Sequence, residues 1–117
     1  MIRKAAIISI KGPFLTTQEI AVLSKEKPWG IILFKRNIIS MNQLVKLTKK
    51  IKKIMKDKKF PILIDEEGGS VTRLSNFLDN SLYNQSYFSH IYKLNKLNGI
   101  HIYKTYIYSL SKLLSKT

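Results

Sequence analysis

Phe60-Pro-Ile-Leu-Ile-Asp65-Glu66-Glu67-Gly68-Gly69-Ser-Val-Thr-Arg73 is the stretch that decides the fold. Its apolar first part ends abruptly in three carboxylates, two glycines and, a little later, an arginine. A short apolar run of this kind is typical of a strand that is buried on both faces of a parallel sheet. Parallel α/β folds place their sites at the C-terminal ends of such strands. Asp65 is therefore the first candidate site residue.

Two similar strands precede this one, and helical patterns separate all three. Ala5 to Ile10 is an apolar run that Gly12-Pro13 closes, and Gly30 leads into a second buried strand, Ile31 to Phe34. The third strand is Phe60 to Asp65. This alternation predicts an α/β fold of parallel strands joined by right-handed crossovers, so that the polar residues after each strand face one rim.

The first two predicted helices both begin with capping-box spacing. Thr16 lies three residues before Glu19, and Ser40 lies three residues before Gln43. The first helix is predicted to continue to about Glu26. The second has an apolar stripe and many lysines, a pattern found in membrane-surface helices but more often in the outer helices of α/β proteins, which we expect here. The stripe residues are Leu44, Leu47, Ile51, Ile54 and Met55.

The chain is polar and irregular between Arg73 and Asn80, and weakly helical from Tyr83 to Leu97. Gly99 is predicted to interrupt that helical character. A regular stripe then predicts a helix up to the last residue, and no fourth strand follows it, which leaves both edges of a three-stranded sheet open. The stripe residues are Tyr103, Tyr106, Ile107, Leu110, Leu113 and Leu114.

The net charge of +14 arises from 21 Lys and Arg against 7 acidic residues in 117. Such an excess suggests nucleic acid or an anionic membrane as a partner, but the lysines are scattered along the chain, which favours a solvated surface and no specific nucleic acid.

Cysteine is absent, which excludes disulfides and fits a reducing compartment. The apolar run at Ala5 to Ile10 is too short for a signal peptide or a membrane span, so we expect a cytoplasmic protein.

Asp65, Glu66 and Glu67 are compatible with three kinds of chemistry. In an extended segment Asp65 and Glu67 point the same way, about 6 to 7 Å apart, within the loose range of glycosidase carboxylate pairs. Clustered carboxylate oxygens also suit a hard metal ion such as Mg²⁺. Alternatively, one carboxylate binds substrate hydroxyls while its neighbours are structural. Spacing alone does not rank the three.

The residues around this cluster give weaker signals. Gly68-Gly69 lacks the remainder of a phosphate-binding fingerprint, so no nucleotide cofactor is predicted. Arg73 could return to the same rim and fork onto a carboxylate or a sugar oxygen. His90 and His101 have no further histidine or cysteine at ligand spacing, so both are expected to be structural or surface residues and no metal site is predicted from them.

Two motifs resemble the N-terminal part of family 3 glycoside hydrolases in their order and spacing. They are Gly30-Ile-Ile-Leu-Phe34-Lys-Arg36-Asn37 and Ile64-Asp65-Glu66-Glu67-Gly68-Gly69-Ser-Val71-Thr-Arg73-Leu. The sequence is most similar to the bacterial cytoplasmic β-N-acetylglucosaminidases (β-N-acetylhexosaminidases) of cell-wall recycling, which carry a similar Ile-Leu-Phe-x-Arg-Asn and Asp-x-Glu-Gly-Gly-x-Val-x-Arg. The resemblance is strongest over residues 5–77 and looser up to residue 117.

The resemblance implies a TIM (β/α)₈ barrel, of which residues 1–117 would supply the first three βα units, truncated before the fourth strand. It also implies that Asp65 holds hydroxyls of a terminal N-acetylglucosamine and that Arg73 contacts the same substrate, a muropeptide or oligosaccharide. The family's histidine acid/base and aspartate nucleophile have no counterpart here. We therefore expect a chain that is inactive alone, and a complementary barrel fragment is a candidate partner.

Overall fold

The structure of the protein, a computed structural model, describes residues 2–117. Contacts between residues divide the chain into two compact units, one ending at Asp65 and the other comprising Glu66–Thr117. We describe each unit separately. The assignment of residues 1–117 to one barrel domain stays a prediction.

The first unit alternates strands and helices, as the sequence predicts. Its three strands form one parallel sheet in the order β1-β2-β3, so the central strand is β2. The α/β alternation and the parallel arrangement are therefore confirmed. The elements are β1 (Lys4–Ser9), α1 (Thr17–Glu26), β2 (Pro28–Leu33), a 3-10 turn (Lys35–Asn37), α2 (Met41–Ile54) and β3 (Ile62–Ile64).

Local capping determines where the two helices begin. The Thr16 hydroxyl accepts a hydrogen bond from the Glu19 N–H at 3.2 Å, and the Glu19 carboxylate accepts one from the Thr16 N–H at 2.8 Å, which completes the predicted capping box. Ser40 caps α2 in the same way through the Gln43 N–H. The Gln43 side chain, however, accepts from the N–H of Ile39 instead of Ser40, so the second box is displaced by one residue.

The core of the first unit lies on β2 and on the inner faces of α1 and α2. Ile31 and Leu33 of β2 are buried. Because the apolar stripe of α2 is buried while most of its lysines are exposed, the outer-helix interpretation is confirmed. The helical residues of the core are Leu23, Leu44, Leu47 and Ile51.

The edge strands differ from the sequence-based expectation. β3 comprises only Ile62–Ile64 and is half-buried, so the prediction of a strand over Phe60 to Asp65 buried on both faces is wrong. β1 is largely exposed in spite of its apolar sequence. Each of these strands pairs only with β2 within the sheet, so each has one side without a neighbouring strand.

The second unit is a loop followed by two helices, α3 (Gln85–Leu94) and α4 (Lys96–Leu114). The predicted interruption at Gly99 is wrong, because the break lies at Asn95, which ends α3 and caps α4 by accepting from the Asn98 N–H at 3.0 Å. Gly99 is instead a point of close packing: a Cβ there would lie 2.5 Å from the Cα of Tyr92 on α3. No helix within residues 2–117 is long and apolar enough to cross a membrane.

Candidate functional site

The C-terminal ends of the three strands lie along one edge of the sheet. In the strand register Ser9 pairs with Ile32, and Leu33 pairs with Ile64. The residues that follow the strands therefore share an edge, which we call the C-terminal rim. It consists of residues 10–13, residues 34–37 and Asp65.

Asn37 fastens two loops of the C-terminal rim to each other. Its side chain is fully buried, and Nδ2 donates to the carbonyl oxygens of Ile10 and Gly12, both at 3.0 Å. Its Oδ1 accepts from the N–H of Phe34 at 2.8 Å. Since every polar atom of this amide has a partner, burial costs little and the loop after β1 is held against the loop after β2.

Arg36 lies beside Asn37 but is exposed. Its Nη2 donates to the Ser9 hydroxyl at 3.2 Å, and Nε lies 3.3 Å from the Ile10 carbonyl oxygen. The guanidinium also stands 4.7 Å from the centre of the Phe34 ring. These contacts fix one edge of the guanidinium, so Arg36 places a positive charge at the C-terminal rim in a defined position.

Two helix starts hold the loop that follows β1. Gln43 donates from Nε2 to the Pro13 carbonyl at 2.6 Å and to the Asn37 carbonyl at 3.1 Å. Glu19 accepts from the Lys11 N–H at 2.7 Å. Burial raises the pKa of Glu19, but the hydrogen bonds from Lys11 and Thr16 lower it by more. The pKa of this carboxyl therefore lies below its usual value. The rim is thus preorganised by residues from three elements.

Asp65 follows the last residue of β3 and is exposed. Because Leu33 pairs with Ile64, Asp65 is level with Phe34 of the neighbouring strand, which places it on the C-terminal rim as predicted. An exposed carboxylate at the open end of a parallel sheet can accept hydrogen bonds from hydroxyl groups.

Glu66 holds the loop that begins the second unit. Its Oε1 accepts from the Gly68 N–H at 3.1 Å and from Nδ2 of Asn80 at 3.0 Å. Its Oε2 accepts from the Arg73 N–H at 2.7 Å. A carboxylate with three donors is a structural anchor, so the three consecutive carboxylates are not equivalent: Glu66 is half-buried and bonded, whereas Glu67 is exposed.

The two glycines of this loop are required by the backbone. Gly68 has φ +77° and Gly69 has φ +64°, in the left-handed region that side chains disfavour. A Cβ on Gly68 would lie 2.2 Å from the Tyr83 carbonyl oxygen, and one on Gly69 would lie 2.7 Å from the Asn84 Cβ. The Gly-Gly pair therefore permits a tight turn packed closely against the chain before α3.

Asn80 is the buried polar residue of the second unit. Its carbonyl oxygen accepts from the N–H groups of Gly69 and Tyr83, and its Nδ2 lies 3.4 Å from the Tyr106 hydroxyl. The side-chain Oδ1 is buried and makes no hydrogen bond within residues 2–117. The Glu66 carboxylate can only accept hydrogen bonds, so the Asn80 atom that faces it must be the donor Nδ2. This requirement fixes the orientation of the Asn80 side-chain amide.

The predicted site residues fall in different units. Asp65 ends the first unit, and the half-buried Arg73 belongs to the second. Within residues 2–117 no group of three or more His, Cys, Asp or Glu side chains is arranged to hold a metal ion. His90 and His101 are exposed, in agreement with the expectation for surface residues.

Sequence reasoning missed Asn37 and Asn80 as organisers of the loops, and it gave a structural role for Glu66 as only one of three alternatives. The partners of Asn37 lie 25 and 27 residues away, and Asn80 lies 14 residues from Glu66, so no local pattern identifies these bonds. One local signal was present. A carboxylate two residues before a glycine is well placed to accept from that glycine's N–H, as Glu66 does from Gly68.

Comparison with curated proteins identifies relatives, although no family model matches the chain. The β-hexosaminidase of Haemophilus ducreyi is 45% identical over 67 residues, which are 57% of this chain and 19% of that protein. The β-hexosaminidase of Haemophilus influenzae is 36% identical over 67 residues, with the same coverage of 57% and 19%. The chain thus spans about a fifth of the length of the curated relatives it matches.

Solved structures agree with the curated relatives. NagZ from Neisseria gonorrhoeae in complex with N-trifluoroacetyl-D-glucosamine matches with a TM-score of 0.55 and 35% identity, over 65% of this chain and 21% of that one. A glycoside hydrolase family 3 β-N-acetylglucosaminidase from a Paenibacillus species matches with a TM-score of 0.54 and 30% identity, over 60% of this chain and 14% of that one. The predicted resemblance to the family 3 β-N-acetylglucosaminidases is therefore confirmed over this part of their length.

Proposed function

We propose that the chain provides the sugar-binding rim of a family 3 glycoside hydrolase acting on terminal non-reducing N-acetylglucosamine. The observation that carries this proposal is the position of Asp65 at the C-terminal end of a strand in a parallel sheet. The chain that forms this sheet is similar in structure to part of a family 3 β-N-acetylglucosaminidase. The complex of the gonococcal relative with N-trifluoroacetyl-D-glucosamine supports the ligand class. A muropeptide or oligosaccharide that ends in N-acetylglucosamine is the proposed substrate.

The proposed architecture is the first three βα units of a (β/α)₈ barrel. The strand order β1-β2-β3, with helices between parallel strands, is the arrangement that this part of such a barrel requires. A barrel has no open edge, so the unpaired sides of β1 and β3 would be covered by further strands. A complementary polypeptide that carries those strands is the proposed protein partner.

In this proposal Asp65 accepts hydrogen bonds from sugar hydroxyls, and Arg73 contributes a second contact to the substrate. Charge-assisted bonds of this type position the sugar and do not break the glycosidic bond. Glu66 supports Arg73 indirectly, because its carboxylate accepts from the Arg73 backbone N–H. The acid/base and nucleophile motifs of the family have no counterpart among the 117 residues, so we propose that the chain alone binds the sugar without hydrolysing it.

The test measures binding and turnover separately. We expect N-acetylglucosamine to protect the Asp65–Arg73 loop from proteolysis and to shift its amide resonances, and Asp65→Ala to weaken binding at least about tenfold, as loss of a charged hydrogen-bonding partner should. Glu67→Ala removes another exposed carboxylate nearby and serves as the matched control. An aryl N-acetylglucosaminide should not be hydrolysed. Turnover that disappears in Asp65→Ala would contradict the inactivity, and equal loss of binding in both variants would contradict the role of Asp65.

A second candidate function is a non-enzymatic basic module that binds nucleic acid through α2. One groove of the first unit favours it, because lysines form most of its lining. Its binding to arbitrary duplex DNA should fall steeply with salt and with Lys49→Gln/Lys53→Gln. A flat salt dependence would exclude this candidate. The lining residues are Lys49, Lys52, Lys53, Lys56, Asp57 and Lys58.

A further inference from the structure

Helix α4 carries apolar residues on two sides. The inner stripe begins at the buried Gly99, and its rings contact α3: the centre of the Phe88 ring lies 5.0 Å from that of Tyr103 and 5.1 Å from that of Tyr106. The outer stripe is separated from it by about a third of a turn, at the ~3.6-residue period of a helix. The outer stripe consists of Leu97, Ile100, Lys104, Ile107, Tyr108 and Ser111.

The apolar members of the outer stripe are exposed. Leu97 is 78% exposed and Tyr108 is 64% exposed, while Ile107 is 42% exposed. Leu94, at the end of α3, is also exposed. Single exposed apolar residues are ordinary, but several along one helical face indicate a surface that binds something.

The charged side chains of α3 and α4 have only one sign. No Asp or Glu occurs after Asp79, so residues 80–117 carry lysines alone. Two lysines stand over tyrosine rings, Lys96 at 6.0 Å from Tyr92 and Lys112 at 5.4 Å from Tyr108. The charge of this surface is therefore complementary to an anionic partner. The lysines are Lys93, Lys96, Lys104, Lys112 and Lys116.

The position of Lys104 discriminates between the kinds of anionic partner. It lies within the outer stripe, between Ile100 and Ile107. The centre of a protein interface is depleted of lysine, and the phosphates of a nucleic acid gain nothing from contact with leucine and isoleucine. A bilayer surface accommodates both, because the lysine stem lies along the acyl chains while the ammonium reaches the phosphate layer.

We propose that the outer stripe of α4 binds the surface of an anionic phospholipid bilayer. Leu97, Ile107 and Tyr108 enter the boundary between headgroups and acyl chains, and the surrounding lysines contact lipid phosphates. In this arrangement the helix lies parallel to the surface, because the outer stripe runs along its length from Leu97 to Ser111. This inference does not depend on the proposed sugar site.

The test is co-sedimentation of the 117-residue chain with lipid vesicles. We expect binding to vesicles of phosphatidylcholine mixed with phosphatidylglycerol, little binding to pure phosphatidylcholine, and release by salt. Lys104→Gln/Lys112→Gln should lower the partition coefficient about 25-fold, at about fivefold per lysine. Leu97→Ser should lower it roughly tenfold through lost apolar burial, whereas Leu97→Met should retain binding.

The matched control removes two exposed lysines from α2 instead. Lys46→Gln/Lys50→Gln makes the same change in net charge at two exposed positions that do not line the lysine groove, and we expect binding to stay within about twofold, because these charges lie outside the proposed surface. An equal loss in both lysine pairs would mean that binding follows net charge, which overturns the proposal. No binding to the mixed vesicles, unchanged binding of Leu97→Ser, or stronger binding to duplex DNA that displaces the vesicles would also overturn it.

Discussion

Helices α2 and α4 share a type of sequence pattern but have different surroundings. Both contain lysines, and both repeat apolar residues at intervals of three and four. In α2 the repeat forms one stripe that is buried, with Ile51 at 0% exposure, whereas α4 has a second stripe that includes Leu97 at 78% exposure. A basic amphipathic pattern therefore does not by itself indicate a surface-binding helix. The informative feature is apolar area that remains after the core is formed.

The two units are also stabilised internally in different ways. Of the buried apolar residues, only Leu74 and Phe88 belong to the second unit. Its loop depends instead on the bonds of Glu66 and Asn80 and on two left-handed glycines. We expect mutations in the first unit to act mainly through packing and mutations in the second mainly through backbone geometry and hydrogen bonding.

The largest expected effect comes from removing a core side chain of α2. Ile51→Ala should lower the free energy of unfolding by about 2–5 kcal/mol, because it removes buried methyl groups and leaves a cavity. The matched control is Leu97→Ala on α4, which should change stability by less than about 0.5 kcal/mol. Urea denaturation of both variants measures the difference. Equal destabilisation would contradict the contrast between a buried and an exposed stripe.

An intermediate effect is expected from a backbone change in the second unit. Gly68→Ala places a Cβ at φ +77° against the Tyr83 carbonyl and should cost about 1–3 kcal/mol. Hydrogen exchange of the Gly69 and Tyr83 amides, both bonded to the Asn80 carbonyl, should accelerate accordingly. Gly12→Ala is the control, since no atom lies within 4 Å of its Cβ position. Unchanged exchange in Gly68→Ala would show that the turn tolerates a side chain.

The smallest expected effect concerns the acid dependence of the first unit. The pKa of Glu19 is lowered from 4.5, so the unfolded chain takes up the proton first and the stabilisation is lost as pH falls through the lowered pKa. The loss should stay below about 1 kcal/mol because the carboxylate is only partly buried and solvent screens it. Glu19→Gln should be less stable than the parent at neutral pH, and the difference should shrink on acidification. A difference in stability between the parent and Glu19→Gln that persists at low pH would contradict the stabilising role of the ionised Glu19 carboxylate.

The parts of the fold that depend on neighbouring residues were predictable from sequence. The Thr16 capping box closes within three residues, and apolar runs between helices predicted parallel strands correctly. The position of Asp65 on the C-terminal rim was also predicted correctly, because it follows directly from the parallel arrangement of the strands. Its role and that of Arg73 in sugar binding stay predictions, because they concern a ligand.

The parts that depend on distant contacts were not predictable. Gly99 was interpreted as a break because glycine weakens helices, but here the missing side chain lets Tyr92 of α3 approach. The length of β3 was overestimated because pattern does not reveal whether a strand has one neighbour or two. The hydrogen bond between Glu66 and Asn80 joins residues that no sequence period connects.

The exposed outer strand β1 has a consequence for how copies of the protein behave at high concentration. An apolar edge strand with no neighbour on one side is a template on which another chain can add a strand, the usual first step of aggregation. The charge of +14 opposes that step because copies repel one another, and salt weakens the repulsion over distances of about 10 Å at 0.1 M. Concentrated samples should therefore aggregate least at low salt, where repulsion between copies keeps other chains away from the open side of β1.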